Sequence, residues 1–266
     1  MLNRIMKKIL FIVRYIKYLF KAKNKHSVHS PFLYDFIITI LNKCSDDKNC
    51  RKIQELRKKL CKSEKNIKIT DFGAGSHINN SKHRKIKDIA RNSAKNAKFG
   101  TLLYRIIRYY KPENILELGT SLGISTLYLS MAEPQTKIYS FEGCPETARI
   151  AKHNFKEMEI KNTNIIIGDF KTTLKENLRE INNIDLAFID GDHQQKPTIE
   201  YFKETLKYTN NDTIFIFDDI HWSKGMENAW EYIKSHKQTT LTIDLFYIGI
   251  VFIRKELSKE NYIIQF

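Results

Sequence analysis

From about residue 98 onward, short apolar runs suited to strands alternate with segments suited to helices, five times in succession. The strand candidates are residues 114–118, 137–141, 164–167, 185–189 and 213–217, with helices at 102–110, 124–131, 145–158, 170–180, 198–208 and 224–235. Strands that are apolar throughout are buried on both faces, so the alternation predicts a parallel sheet with helices on either side. The pattern then changes. Residues 241–245 and 247–254 are both β-rich with almost nothing between them, which predicts an antiparallel hairpin at one edge of the sheet. The expected class is therefore α/β, a mainly parallel seven-stranded sheet closed by a C-terminal β-hairpin.

The first hundred residues read differently. They hold 25 of the 45 Lys and Arg against 7 Asp and Glu, whereas residues 101–266 hold 20 against 23. That asymmetry suggests an anionic partner, a membrane surface or a nucleic acid, although a chain this rich in Lys, Asn and Ile also acquires charge by compositional drift. Residues 9–20 are apolar but interrupted by Arg14 and Lys17, too short and too charged for a span of ~20 apolar residues. No small-residue cleavage site follows. A basic amphipathic helix fits, resting on an anionic membrane or covering the core of its own domain. Ser30 followed by Pro31 marks the start of a second helix. Residues 61–95 are polar, with a loop at 79–81 and an exposed basic helix expected at 82–96. Cys44, Cys50, Cys61 and Cys144 form no CxxC pair and no zinc spacing, which fits a reduced, cytoplasmic protein, with the inner membrane face as the place of any peripheral contact. The expected division is a basic, mostly helical extension over 1–97 and an α/β domain over 98–266.

The chemistry concentrates at strand ends. Glu117-Leu-Gly-Thr-Ser-Leu-Gly123 follows the first strand and opens a helix, and glycines at 119 and 123 let the backbone turn sharply and pass close to a ligand. The second strand ends at Glu142 and the third at Gly168-Asp169-Phe170. The fourth ends Asp190-Gly-Asp-His193, and the fifth Asp218-Asp219-Ile-His221-Trp222. Neighbouring strand ends of a parallel sheet open onto one crevice. Ile69-Thr-Asp-Phe-Gly-Ala-Gly-Ser76 also looks like an acidic glycine turn, but a polar stretch follows it rather than an apolar helix, which assigns it to a loop. His26, His29 and His221 stand alone and read as structural, and Trp222 reads as core packing ahead of a pocket wall.

The glycine loop resembles the ExGxxxG signature of class I S-adenosylmethionine-dependent methyltransferases rather than the GxGxxG of dinucleotide enzymes. The resemblance implies the Rossmann-like fold and cofactor contacts from Glu117, Gly119, Thr120, Ser121, Gly123, Ser125, Glu142, Gly143, Asp169, Phe170 and Asp190. Glu142 would take the ribose hydroxyls, while Asp169 and Phe170 would flank the adenine. Asp190 with the Asp218–Asp219 pair is similar to the ligand set of the cation-dependent O-methyltransferases of the catechol and caffeoyl-CoA type. It implies Mg²⁺ or another divalent ion on Asp190, Asp218 and Asp219. Two departures stand out: Asp219 replaces an Asn, and His193 stands where that group has a lysine. His193 suits a general base. In the other reading, Asp190 takes the cofactor's ammonium group and the Asp pair caps a helix. His-Ser-Pro-Phe near the N-terminus and Asp-Asp-Ile-His-Trp after the fifth strand also resemble an uncharacterised bacterial methyltransferase group.

The expected function is methyl transfer to the hydroxyl of a small-molecule acceptor. The competing readings are a methyltransferase acting on RNA or another macromolecule through the basic N-terminal region, and a non-catalytic S-adenosylmethionine-binding protein. A homodimer is compatible with each.

Overall fold

The computed structural model describes residues 2–24, 28–42, 47–70, 83–92 and 95–266, with the side chains of the first helix described at Met6 and from Ile9 onward. Eight strands belong to one mainly parallel sheet, and the chain divides into two compact units, Asn42–Ile184 and Met1–Leu41 with Asp185–Phe266. The basic first 97 residues are thus shared between the units, because their helices pack on different neighbours.

In the unit spanning 42–184, helix α3 (Lys48–Leu60), capped by Asp47, packs on helices α5 (Ala97–Tyr110) and α6 (Ile124–Ala132). The close approach of α5 to α6 depends on Gly100, where a Cβ would lie 2.1 Å from the Tyr128 ring. Helix α6 buries every residue but Met131, as expected of a helix that is apolar or small all round. Strands β3 (Asn114–Leu118), β4 (Lys137–Glu142) and β5 (Thr163–Ile167) run parallel in that order, connected by α6 and by α7 (Pro145–Glu157). Helix α8 (Phe170–Ile181) follows β5. The basic helix expected over 82–96 is shorter, α4 (Ile86–Asn92), because His83–Lys85 (β2) pairs with Asn66–Lys68 (β1) in a two-stranded antiparallel sheet. Most of the second glycine turn, from Asp71, lies outside the described residues, as do His26 and Cys44.

In the other unit the hydrogen-bonded order is β10-β8-β9-β7-β6: Glu260–Ile263, Leu241–Asp244, Ile248–Phe252, Thr209–Asp218 and Ile184–Ile189. The expected hairpin is β8 and β9, antiparallel, reversing through Leu245–Tyr247, where Phe246 takes a φ of 69°. The eighth strand, β10, lies parallel to β8. It goes beyond the seven strands expected from the sequence, because Glu-Asn-Tyr-Ile carries no apolar run that marks a strand. Helices α9 (Gln195–Thr205) and α10 (Lys224–Ser235) pack together. Ser30 caps α2 (Pro31–Phe36), its oxygen accepting from the Leu33 amide, and the helix ends in a π-helical turn over Ile37–Leu41. Phe32 and Phe36 set their rings edge-on against Phe252.

Helix α1 (Leu2–Lys21) covers part of this unit. Its Phe11, Tyr15 and Tyr18 surround Phe246 with ring centroids 4.9–5.3 Å away. Tyr18 donates from its hydroxyl to the Ile264 carbonyl at 2.5 Å, and Arg14 meets Glu227 at 3.1 Å.

Candidate functional site

Strand β3 delivers Glu117 into the interior, fully buried. Three hydroxyls donate to its carboxylate at 2.6 Å each: Ser125 to Oε1, and Thr126 and Ser140 to Oε2. Burial pushes its pKa above the ordinary carboxylate value, and the three hydroxyls pull the other way. Ser140 is the in-register partner of Glu117 on β4, and its hydroxyl also meets that of Thr120 at 2.5 Å. Glu117 thus ties the start of α6 to strand β4, and Ser140 carries the link on to Thr120 in the turn that joins β3 to α6. Thr126 and Ser140 escaped the sequence reading, and only strand register could have pointed to Ser140.

The turn itself uses left-handed backbone three times in five residues: Gly119 at φ 103°, Ser121 at 49° and Gly123 at 82°. At Gly123 a Cβ would stand 2.5 Å from the Phe155 ring, so helix α7 packs where a side chain would be. The Gly119 and Thr120 amides both donate to the Phe141 carbonyl, at 2.9 and 3.1 Å, which holds the turn against the end of β4. Glu142 stands there. Its Oε2 accepts from the Ser121 amide at 2.6 Å and its Oε1 from the Cys144 amide at 2.8 Å, bridging the half-buried Gly143. The Gly168 amide in turn donates to the Glu142 carbonyl at 3.0 Å. Asp169 caps α8, accepting from the Lys171 amide, and half-buried Phe170 begins that helix. Three consecutive strand ends thus bring Gly119–Gly123, Glu142 and Asp169–Phe170 together. A turn whose glycines lack a Cβ, beside a pinned carboxylate, fits an adenosyl ligand carrying a vicinal diol.

In the other unit, Asp190, His193 and Asp218 each offer a ligand atom, all within 4.8 Å of one another. Asp190 follows the last residue of β6 and Asp218 ends β7, where it is only 7% exposed. Consecutive left-handed residues, Asp192 at φ 63° and His193 at 38°, curl the loop back, with the His193 amide donating to the Gly191 carbonyl at 2.8 Å. That curl sets His193 Nε2 3.7 Å from Asp190 Oδ1. Tyr201 donates from its hydroxyl to Asp192. Two carboxylates and one imidazole fit a divalent cation such as Mg²⁺ or Mn²⁺. The metal triad expected from the sequence was Asp190, Asp218 and Asp219. The cluster found among the described residues is Asp190, His193 and Asp218, and Asp219, next in the chain, has a left-handed φ of 53°.

His221 lies in a separate network, with Nε2 2.7 Å from Asp244 and Nδ1 3.6 Å from Glu227. It stacks on Phe246, so the histidine that stood alone in the sequence has two carboxylate neighbours and a ring against it. Trp222, expected in the core, is 49% exposed.

Residues 116–220 match the family model of a methyltransferase domain. Over 124 residues the chain is 28% identical to a catechol O-methyltransferase of Niastella koreensis, covering 46% of this chain and 55% of that one. The chain spans little more than half the length of that curated relative. Among solved structures, an S-adenosylhomocysteine-bound methyltransferase of Podospora anserina aligns over 86% of this chain and 98% of its own, with a TM-score of 0.60 at 14% identity. The Streptomyces achromogenes O-methyltransferase involved in tomaymycin synthesis, solved with S-adenosylmethionine, aligns over 82% and 95%, with a TM-score of 0.54 at 17% identity. At such identities the shared feature is the fold, the Rossmann-like methyltransferase fold expected from the sequence.

Proposed function

We propose that this chain, which carries a methyltransferase domain over residues 116–220, transfers a methyl group from S-adenosylmethionine to a hydroxyl oxygen of a small-molecule acceptor. One observation carries the reading: the Glu142 carboxylate is pinned at the mouth of the glycine turn by the Ser121 and Cys144 amides. Held there, it presents acceptor oxygens to a ribose diol, while the turn at Gly119–Gly123 passes close to the rest of the cofactor and Phe170 packs on the adenine. The cofactor supplies an already activated methyl group.

The protein's part is alignment and proton removal, and alignment of this kind is worth ~7–11 kcal/mol. His193 takes the acceptor's hydroxyl proton at Nε2, and Asp190, 3.7 Å away, stabilises the imidazolium that results. Asp190, His193 and Asp218 would also hold a divalent cation, which supplies Lewis-acid stabilisation of a deprotonated oxygen. Nε2 serves one role or the other, so the acid cluster works either as a base site or as a cation site.

Calorimetric titration with S-adenosylhomocysteine tests the cofactor half, with Glu142→Gln alongside the wild type. Micromolar binding that weakens in the variant is the expected result, and absence of binding to the wild type overturns the reading. A panel of hydroxylated acceptors, catechols included, followed by mass spectrometry for a single added methyl group, tests the transfer.

A further inference from the structure

Helix α1 is a two-sided object. Its inner side is accounted for by Phe11, Tyr18 and Arg14, which engage Phe246, Ile264 and Glu227. Its outer side is apolar and uncovered. Met6, Ile9, Val13, Ile16 and Phe20 follow one another at three- and four-residue steps, with Leu10 four residues after Met6, so they share a face, and each is 40–88% exposed. Isolated apolar side chains on a surface are ordinary, whereas a continuous apolar stripe on a helix is a contact surface. Two exposed aromatics adjoin the helix: Trp222 meets the Phe11 ring edge-on and Tyr247 lies tilted to it, each with centroids 6.0 Å apart.

The charge of the helix says what covers this face. Leu2–Lys21 contains six Lys and Arg and no Asp or Glu, and Lys17 and Lys21 are exposed among the apolar residues. We propose that α1 is an in-plane anchor that lays its apolar face into an anionic lipid surface. Apolar side chains would enter the headgroup boundary, lysine stems would run along it with their ammonium groups at the phosphates, and Trp222 and Tyr247 would sit at the interface. A second copy of the chain is a poorer occupant, because it would bring two acid-free basic helices face to face. Glu227, the acid that meets α1, is already engaged by Arg14 and lies on the inner side. The helix rests on the surface and does not cross it: among the described residues no helix is long and apolar enough to span a bilayer. This anchor is independent of the proposed methyl transfer.

The test is flotation of the full chain with phosphatidylcholine vesicles with and without phosphatidylglycerol, read also by tryptophan emission. Trp230 is buried, so a blue shift on binding reports Trp222, and Trp222→Phe should abolish it. Binding to the anionic vesicles should exceed that to pure phosphatidylcholine by roughly ten-fold or more and weaken with salt. Ile16→Glu with Phe20→Glu should remove it with unchanged circular dichroism and melting temperature, since both side chains are exposed. Lys17→Glu with Lys21→Glu should weaken it and flatten the salt dependence. Failure of the wild type to float with anionic vesicles at low salt overturns the proposal. So does unchanged binding by the Ile16/Phe20 variant, a solution dimer that this variant dissociates, or retention of single-stranded RNA in place of vesicles.

Discussion

The Glu142 carboxylate accepts the amide of Ser121, 21 residues earlier in the chain, at 2.6 Å. Ser121 has a left-handed φ of 49°, the conformation that aims this amide at β4. The glycine turn and the acidic strand end are therefore one device.

Glu142→Gln removes a charged acceptor while keeping its shape. Hydrogen bonds to a charged group contribute about 1.5–3 kcal/mol. S-adenosylhomocysteine affinity should therefore fall by roughly ten- to a hundred-fold, and the melting temperature should drop as well, because the amide nitrogen that replaces one oxygen cannot accept from the Ser121 or Cys144 amide. Calorimetry and thermal unfolding together check this, and an affinity equal to wild type would remove Glu142 from the cofactor site.

Glycine substitutions should sort by the room each Cβ would find. Gly123→Ala places a methyl group 2.5 Å from the Phe155 ring at a φ of 82° and should cost about 1–3 kcal/mol, read by urea unfolding. Gly225→Ala, inside α10, meets nothing closer than 3.6 Å. It should be neutral or stabilise by up to about 1 kcal/mol, the ordinary helix preference for alanine.

Burial raises the pKa of Glu117 above its ordinary 4.5. Between that unfolded value and the folded one, the native state holds the extra proton, so stability falls as pH rises through the window. Glu117→Gln cannot titrate. The difference in unfolding free energy between wild type and Glu117→Gln should therefore move in favour of the variant as pH rises from about 4.5. Parallel curves for the two proteins would show that Glu117 does not titrate differently on folding.

The acid cluster makes a contrast between neighbours. Asp218→Asn should abolish binding of Mn²⁺ or Mg²⁺ measured by titration calorimetry, because Asp218 supplies one of the three clustered ligand atoms. Asp219→Asn should leave it within a few-fold, and asparagine tolerates the left-handed φ of 53° at that position. Equal losses would place Asp219 back among the ligands.

Periodicity alone located every strand from 114 to 218 to within about four residues, because each is a compact apolar run bounded by turn residues and its period is a local property. The glycine turn and the acids at the strand ends were legible for the same reason: Gly119, Gly123, Glu142 and Asp190 each sit where a strand stops. What lay beyond reach depends on pairing across the chain. Strand β10 exists only because Leu241–Asp244 offers it an edge. Ser140 reaches Glu117 through strand register, and two consecutive left-handed residues bring His193 to Asp190 and Asp218. The direction of α1 is the clearest case. A helical wheel finds an apolar face but cannot tell which side the protein covers, and it took Phe246 and Glu227, more than two hundred residues away, to turn Phe11, Tyr18 and Arg14 inward and leave Phe20 outside.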